Sequence, residues 1–433
     1  MDEKILAIWL SEALGAGSVF GKRLIGEYGS FREIYALDEK GYERVGINSS
    51  SAIMAKLLDK NTDGAKKCAA FCDSNYFEII DWNSDMYPGR LKAIKDPPAV
   101  LYARGRMTDF DDNVCIAVVG TRSYSDAGWN ATYRVASGIA SGGAVVVTGL
   151  ASGIDTAATR AALDSSGFAV GVIGSGPEKI YPSENKELFE EMYVKGLIIS
   201  EKPPFSEITG RYFPVRNRII SGLCNAVLVG EGSTRSGAMI TAAHASEQGR
   251  RIFAIPGDIS GAESSGVNNL IREGAVPAFE ASDVLRDYMY LYPHRIGLDK
   301  SISAGDISVP EKRSTKRVRV LNGKSPLVKE IVPKKQKADI PETKPVTFSK
   351  VYEGNAVKPD AVKNETEQDG FDIESLEGLE KKIYKYIAAK GKTVSDEICG
   401  EVGADMMSVN IALTALEMMG LVETEGPNVK LKR

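Results

Sequence analysis

The chain is 433 residues long, which at about 150 residues per domain points to roughly three folded units. Its 54 Lys and Arg against 58 Asp and Glu leave a formal charge of −4, which excludes a globally basic binder while leaving room for local basic patches. Apolar residues at 43% supply an ordinary core, and charged residues at 26% are normal for a globular chain, so wholesale disorder is excluded.

The amino end lacks the basic, apolar and small-residue pattern of a secretion signal, and the longest apolar runs, such as 114–119, are far too short to cross a bilayer. The expectation is a cytoplasmic protein with no membrane partner. Five scattered cysteines, Cys68, Cys72, Cys115, Cys224 and Cys399, suit reduced thiols better than a disulfide framework. With His244 and His294 the only histidines, a Cys/His metal site has little to draw on, and no cofactor is expected.

Residues 1–80 show helical apolar spacing at Ile5, Ile8, Trp9 and Leu14, a break at Gly15-Ala16-Gly17, and a second set at Phe20, Leu24, Ile25 and Tyr28. This predicts a small all-α domain. A helix-hairpin-helix that offers backbone N–H groups to phosphate and a plain packing unit are both open readings. Residues 17–23 have P-loop flavour, but the glycine spacing is one short and Arg23 stands where a Mg²⁺-binding hydroxyl belongs.

Over 81–297 short β-branched runs at 114–119, 144–148, 168–173, 197–200, 226–230 and 252–255 alternate with helical stretches. Nearly continuous apolar strands separated by helices predict an α/β domain with a Rossmann-like parallel sheet, its ligand site beyond the carboxyl ends of the strands. Residues 298–374 lose periodicity and read as a flexible linker, with twelve basic against four acidic residues in 311–350 and two against nine in 351–380. Solvation of a tether and an auxiliary nucleic-acid contact both fit the basic half.

Residues 375–433 regain pattern, with helices expected near 379–389, 394–402 and 406–419 before a two-stranded wing over 421–431. A winged-helix domain is predicted. Its third helix carries no Lys or Arg where such folds read DNA, so protein contact is the better expectation.

The turns of the α/β domain carry the chemistry. Gly120-Thr121-Arg122 leads to Ser125 and a helix start, a turn whose glycine allows close approach, whose helix offers N–H groups and whose arginine adds a forked cation. Ser152 and Gly153 lie in the next turn, and Gly174 begins a third that Pro177 and Tyr181-Pro182 distinguish from a dinucleotide fingerprint. Phe213-Pro214 precedes Arg216 and Arg218, which are two apart and so leave a helix on different faces, one free for phosphate and the other for an internal ion pair. Ser236-Gly237 opens another helix. Several phosphate-compatible turns on one sheet edge suggest an extended polyanion rather than a single nucleotide.

Residues 87–275 closely resemble the bacterial DNA-processing protein A family (DprA, also called Smf). The resemblance rests on Gly120-Thr121-Arg122, the 149–155 turn, Tyr181-Pro182-Ser183-Glu184-Asn185, Ser200-Glu201, the blocks 213–223 and 236–242, Gly249-Arg250, Ala254-Ile255-Pro256-Gly257 and the block 266–275. Any one block is weak; their order and spacing are specific. The resemblance implies a non-enzymatic homodimer that coats single-stranded DNA during natural transformation and helps load the RecA recombinase. It places Arg122 on the DNA backbone with Thr121 and Ser125 beside it, and Phe213 against a base. Ser183 and Gly210 stand where members often have basic residues, and Lys186 and Arg211 are neighbouring substitutes. Ser152 replaces a common arginine, Thr159 a common histidine and Lys202 an aromatic.

The competing class is an enzyme. The Pro-Gly-Gly-x-Gly-Thr loop of lysine-decarboxylase-like phosphoribohydrolases is absent, because Asp258-Ile259 follows Pro256-Gly257. A metal-dependent nuclease would draw on Asp155, Glu201 and Glu231, each at a strand end.

Overall fold

The computed structural model describes residues 2–297, 378–404, 409, 412–413, 416–417, 421–425 and 428–431. The linker expected over 298–374 lies outside the described residues.

Six helices open the chain: α1 (Glu3–Leu14), α2 (Phe20–Tyr28), α3 (Phe31–Ala36), α4 (Glu39–Arg44), α5 (Ala52–Asp59) and α6 (Asp63–Ser74). Their starts follow capping chemistry. Asp2, Ser30, Asp38 and Ser51 accept the backbone N–H groups of Lys4, Glu33, Gly41 and Met54, contacts that contribute about 1 kcal/mol each. Leu6, Ile8, Trp9, Leu24, Phe31, Ile34 and Tyr42 form the core of this unit together with Ile79, Val100 and Tyr102. Those last three belong to strands β1 (Glu78–Asp81) and β2 (Val100–Gly105), joined by way of the short α7 (Gly89–Lys92). The helical unit therefore does not close on itself, and the boundary expected at residue 80 falls inside β1.

The chain then alternates through β3 (Cys115–Val119), α8 (Asp126–Ser141), β4 (Val145–Thr148), α9 (Ile154–Asp164), β5 (Phe168–Ile173), α10 (Lys186–Lys195), β6 (Leu197–Ser200) and α11 (Tyr212–Leu223). It continues through β7 (Ala226–Val229), α12 (Gly237–Glu247), β8 (Arg251–Ala254), α13 (Ser265–Arg272), β9 (Val276–Pro277) and α14 (Ala281–Leu285). Among the described residues these nine strands make one sheet in the order β1-β2-β6-β5-β4-β3-β7-β8-β9. The sheet is parallel from β6 to β9, and the Rossmann-like α/β architecture stands. It is not parallel throughout: β2 runs antiparallel to β6, and β1 antiparallel to β2.

The central strands read as continuous apolar runs because both faces are covered. Ile116 and Val118 of β3 enter one core while Cys115, Ala117 and Val119 enter the other, and all five are buried. Each large aliphatic side chain withdrawn in this way contributes about 1.5–3 kcal/mol. From β3 the chain steps outward through β4, β5 and β6, then returns to lay β7 on the other side of β3, pairing Ile116 with Ala226 and Val118 with Leu228. The direction of winding reverses between β3 and β7. In open α/β sheets the crevice at such a reversal is the usual ligand site.

In the carboxyl-terminal region, α15 (Gly378–Lys390), β10 (Lys392–Val394), α16 (Ser395–Val402), β11 (Val422–Glu425) and β12 (Asn428–Leu431) have a core of their own that includes Ile383, Ile387, Ile398, Val422 and Val429. The expected ribbon pairs Val422 with Leu431 and Glu425 with Asn428, and β10 adds a third strand alongside β12. Most of the third expected helix, 406–419, lies outside the described residues.

Candidate nucleic-acid interface

The β3 turn is tied on both sides. Gly120 N–H donates to Asp155 Oδ1 at 3.3 Å, Thr121 N–H to the Glu231 carbonyl at 2.8 Å, and Ile154 N–H to the Thr121 carbonyl at 3.1 Å. Gly153 permits this closeness. Its φ of +85° is left-handed, and a Cβ there would stand 2.8 Å from Arg122 Cα.

The turn differs from the sequence expectation in where its amides go. Ser125 caps α8, its Oγ accepting Gly128 N–H at 3.0 Å, and donates both its own N–H and its hydroxyl to the Glu231 carboxylate at 2.8 and 2.6 Å. A carboxylate of the chain itself thus occupies the positive end of α8, where a phosphate oxyanion was expected. The β4 turn behaves alike: Gly149 N–H donates to Asp155 Oδ2 at 2.9 Å, and Leu150 N–H to Thr148 Oγ1 at 3.1 Å. Ser125 is thus bonded within the fold, and the cations along the rim are the side chains of Arg122, Lys186, Lys202 and Arg211.

Arg122 is the first of them. Half-buried, it places its guanidinium 5.8 Å from the Phe213 ring centroid. Phe213 is only 6% exposed; Tyr181 stacks on it at 5.3 Å, and Gly174 gives it room, since a Cβ at 174 would lie 3.2 Å from Phe213 Cδ1. Of the two stacked rings Tyr181 is half-exposed, and Phe213, the ring expected against a base, is the more buried. Nothing in the Tyr181-Pro182-Ser183-Glu184-Asn185 motif by itself marks Tyr181 as an exposed ring. The segment it heads is fixed to the β4 turn by Asn185, whose Nδ2 donates to the Leu150 carbonyl at 3.1 Å and to Thr156 Oγ1 at 3.0 Å.

Arg216 and Arg218 both lie in the interior, Arg218 in the kind of internal ion pair expected of one of the two. Arg216 is buried and donates to the carbonyls of Gly149, at 2.9 Å, and Val172. Burial pushes its pKa down to about 10 against the attraction of Asp155, with the Arg122 charge adding repulsion. Burial likewise raises the Asp155 carboxyl, opposed by Arg216 and the amides of Gly149, Ala151 and Gly120. Arg218, 2% exposed, donates to Glu201 Oε1 at 2.7 Å and lies 3.1 Å from Asp96 Oδ2. Both helix faces of this pair turn inward, so neither arginine is left for phosphate.

The remaining expected residues spread along the rim. Lys186 begins α10, exposed, 3.9 Å from Glu190. Ser236 caps α12 by accepting Ala238 N–H at 3.3 Å, and Gly237 is the first residue of that helix, on the β7 side of the winding reversal. Ser152 is half-exposed in the β4 turn. Arg211 is exposed and donates to the Tyr212 hydroxyl at 3.2 Å, while Lys202 Nζ sits 4.0 Å from the Tyr212 ring centroid. Lys202 and Tyr212 were not on the expected list; the cation at 202 was the signal that could have found them. Asp155, Glu201 and Glu231 are each engaged by a named partner, and among the described residues no cluster of three His, Cys, Asp or Glu is placed to hold a metal ion.

The segment that carries this rim is similar to known proteins. A family model described as DNA recombination-mediator protein A matches residues 78–289, beginning at the first residue of β1. The chain is 41% identical to the DNA processing protein DprA of Bacillus subtilis over 208 residues, 48% of this chain and 70% of that protein. It is 41% identical to DprA of Streptococcus pneumoniae over 214 residues, 49% of this chain and 74% of that protein. The X-ray structure of the Streptococcus pneumoniae protein superimposes with a TM-score of 0.59 at 33% identity, covering 66% of this chain and 99% of that one.

Proposed function

The chain belongs to the DNA processing protein DprA family, and on that premise we propose that it is a recombination mediator that binds single-stranded DNA along the rim between β3 and β6. The observation that carries this reading is the half-buried Arg122 guanidinium set beside the stacked Tyr181–Phe213 pair. A cation next to an aromatic platform suits a strand whose bases are unpaired: phosphate meets charge, a base meets a ring face, and neither contact depends on sequence. Duplex DNA keeps its bases stacked inside and offers the ring nothing.

Protection of incoming DNA in natural transformation, transfer of the coated strand to the RecA recombinase, self-association as a homodimer and a cytoplasmic location complete the proposal and rest on the family resemblance. Among the described residues no helix is long and apolar enough to cross a membrane. The helix, strand, helix and ribbon of the tail follow the layout of a winged helix, for which we propose a protein-contact role.

A binding rather than catalytic role is supported by the engagement of Asp155, Glu201 and Glu231 in internal bonds. The test is a competition in which a labelled dT oligonucleotide bound to the full chain is challenged with unlabelled single strands or duplex, alongside incubation with nucleoside monophosphates and with DNA plus Mg²⁺. Single strands should displace the probe at lower concentration than duplex, with no turnover. Preference for duplex would overturn the rim assignment; turnover of either substrate would move the chain to the phosphoribohydrolase or nuclease class.

A further inference from the structure

We propose that Lys202, Arg211 and Tyr212 form a second phosphate contact, across the Tyr181–Phe213 pair from Arg122, so that the unpaired strand runs along the rim from the β3 turn toward the loop after β6. The inference rests on the single-strand reading above and adds to it a direction and a second anchor.

The placement follows from sheet order. Arg122 stands at the end of β3, Phe213 packs over Gly174 at the end of β5, and Lys202 follows the end of β6. Strands β3 and β6 are three places apart, about 14 Å at a spacing of about 4.8 Å per strand. At about 3.4 Å per stacked nucleotide that span is roughly four phosphate-to-phosphate spacings.

The cluster is built to hold positive charge. Lys202 Nζ lies 4.0 Å and the Arg211 guanidinium 5.0 Å from the Tyr212 ring centroid, and Arg211 donates to the phenol at 3.2 Å. The aromatic ring lets two cations share a small area. Burial acts to raise the phenol, yet Lys202 and Arg211 together hold it below its ordinary value, which reports a positive local field.

The loop is also held in place before any ligand arrives. Glu201 receives Gly17 N–H at 3.2 Å and Arg218 at 2.7 Å, Lys202 N–H donates to Ser200 Oγ at 2.9 Å, and Phe205 N–H donates to Glu178 at 2.9 Å. The Phe205 ring packs on Phe71 of α6 with centroids 4.3 Å apart. The N-terminal helical unit thus braces the loop that carries the second contact, so little ordering remains to be done on binding.

The test uses the full chain, with dT4 and dT12 oligonucleotides titrated over a range of salt against wild type, Lys202→Gln/Arg211→Gln and Arg122→Ala, and thermal melts as the folding control. The three phosphates of dT4 cover only about 7 Å when stacked and fall short of spanning both anchors, whereas dT12 reaches both. The double variant should melt as wild type, lose about 10- to 100-fold in dT12 affinity, and reduce the salt slope by about 0.7 or more. Its dT4 affinity should change far less. Wild-type dT12 affinity and slope in the double variant, with Arg122→Ala still impaired, would refute the second contact and leave the first in place. Loss of neither would bring down the single-strand reading itself.

Discussion

Arg218→Leu separates a structural arginine from a DNA contact. The Arg218 side chain is 2% exposed and serves Glu201 at 2.7 Å and Asp96 at 3.1 Å. Removing the cation leaves Glu201, itself buried, without its counter-charge. Breaking a buried pair from one side costs about 3–5 kcal/mol. For a domain of roughly 200 residues each kcal/mol moves Tm by about 2–4 °C, so the fall should be about 6–20 °C. Adding Glu201→Gln removes the stranded charge and should recover part of the loss, since replacing a whole buried pair is far less costly than halving it. Calorimetry gives the stability, and anisotropy with a labelled dT oligonucleotide well below the lowered Tm gives binding, which should fall by no more than in Lys202→Gln/Arg211→Gln, because on the rim Arg218 touches the loop that carries those cations. An unchanged Tm combined with a loss of affinity would refute the reasoning and return Arg218 to the interface.

Two further substitutions probe the scaffold. Gly153→Ala forces a side chain into a left-handed backbone 2.8 Å from Arg122 Cα, and should lower Tm and single-strand affinity together as the β3 and β4 turns separate. A stable variant with normal binding would show that the contact between these turns is dispensable. In the N-terminal unit, burial pushes Lys60 down to about 8 against the opposing pull of Asp38. The unfolded chain therefore binds more protons than the folded one between about pH 8 and 10.5, and stability rises with pH across that window. Lys60→Met should be less stable overall, because the carbonyls of Tyr35 and Leu37 lose a donor, and should show a flatter denaturation profile over pH 8–10.5. An unchanged slope would contradict the assignment.

The central fold was legible because strands covered on both faces leave unbroken apolar runs. The segments 168–173 and 197–200 match β5 and β6 residue for residue. β1 and β2 escaped because an antiparallel edge beside a helical unit lacks that run: β2 ends in Ala103-Arg104-Gly105, and β1 is four residues that begin and end with an acid. At the site, sequence identified the turns but misjudged what fills them. Asp155 and Glu231 were weighed as metal ligands of a nuclease, and a linear sequence cannot show that their oxygens reach the amides of turns 6 to more than 100 residues away. Arginine is usually exposed, so the i, i+2 spacing of Arg216 and Arg218 suggested one inward and one outward side chain. Partners at Gly149, Glu201 and Asp96, distant in sequence, draw both inward.

With the amides engaged, side-chain cations are what the rim offers a strand, and Arg122 is the one placed beside the aromatic pair. The most direct test is the single-strand affinity of Arg122→Ala against wild type as a function of salt. Loss of a charged contact should weaken binding by about 10- to 150-fold and flatten the dependence of log affinity on log salt by about 0.7, with Tm unchanged. A variant that binds with wild-type affinity and slope would contradict the claim that the strand lies along this rim.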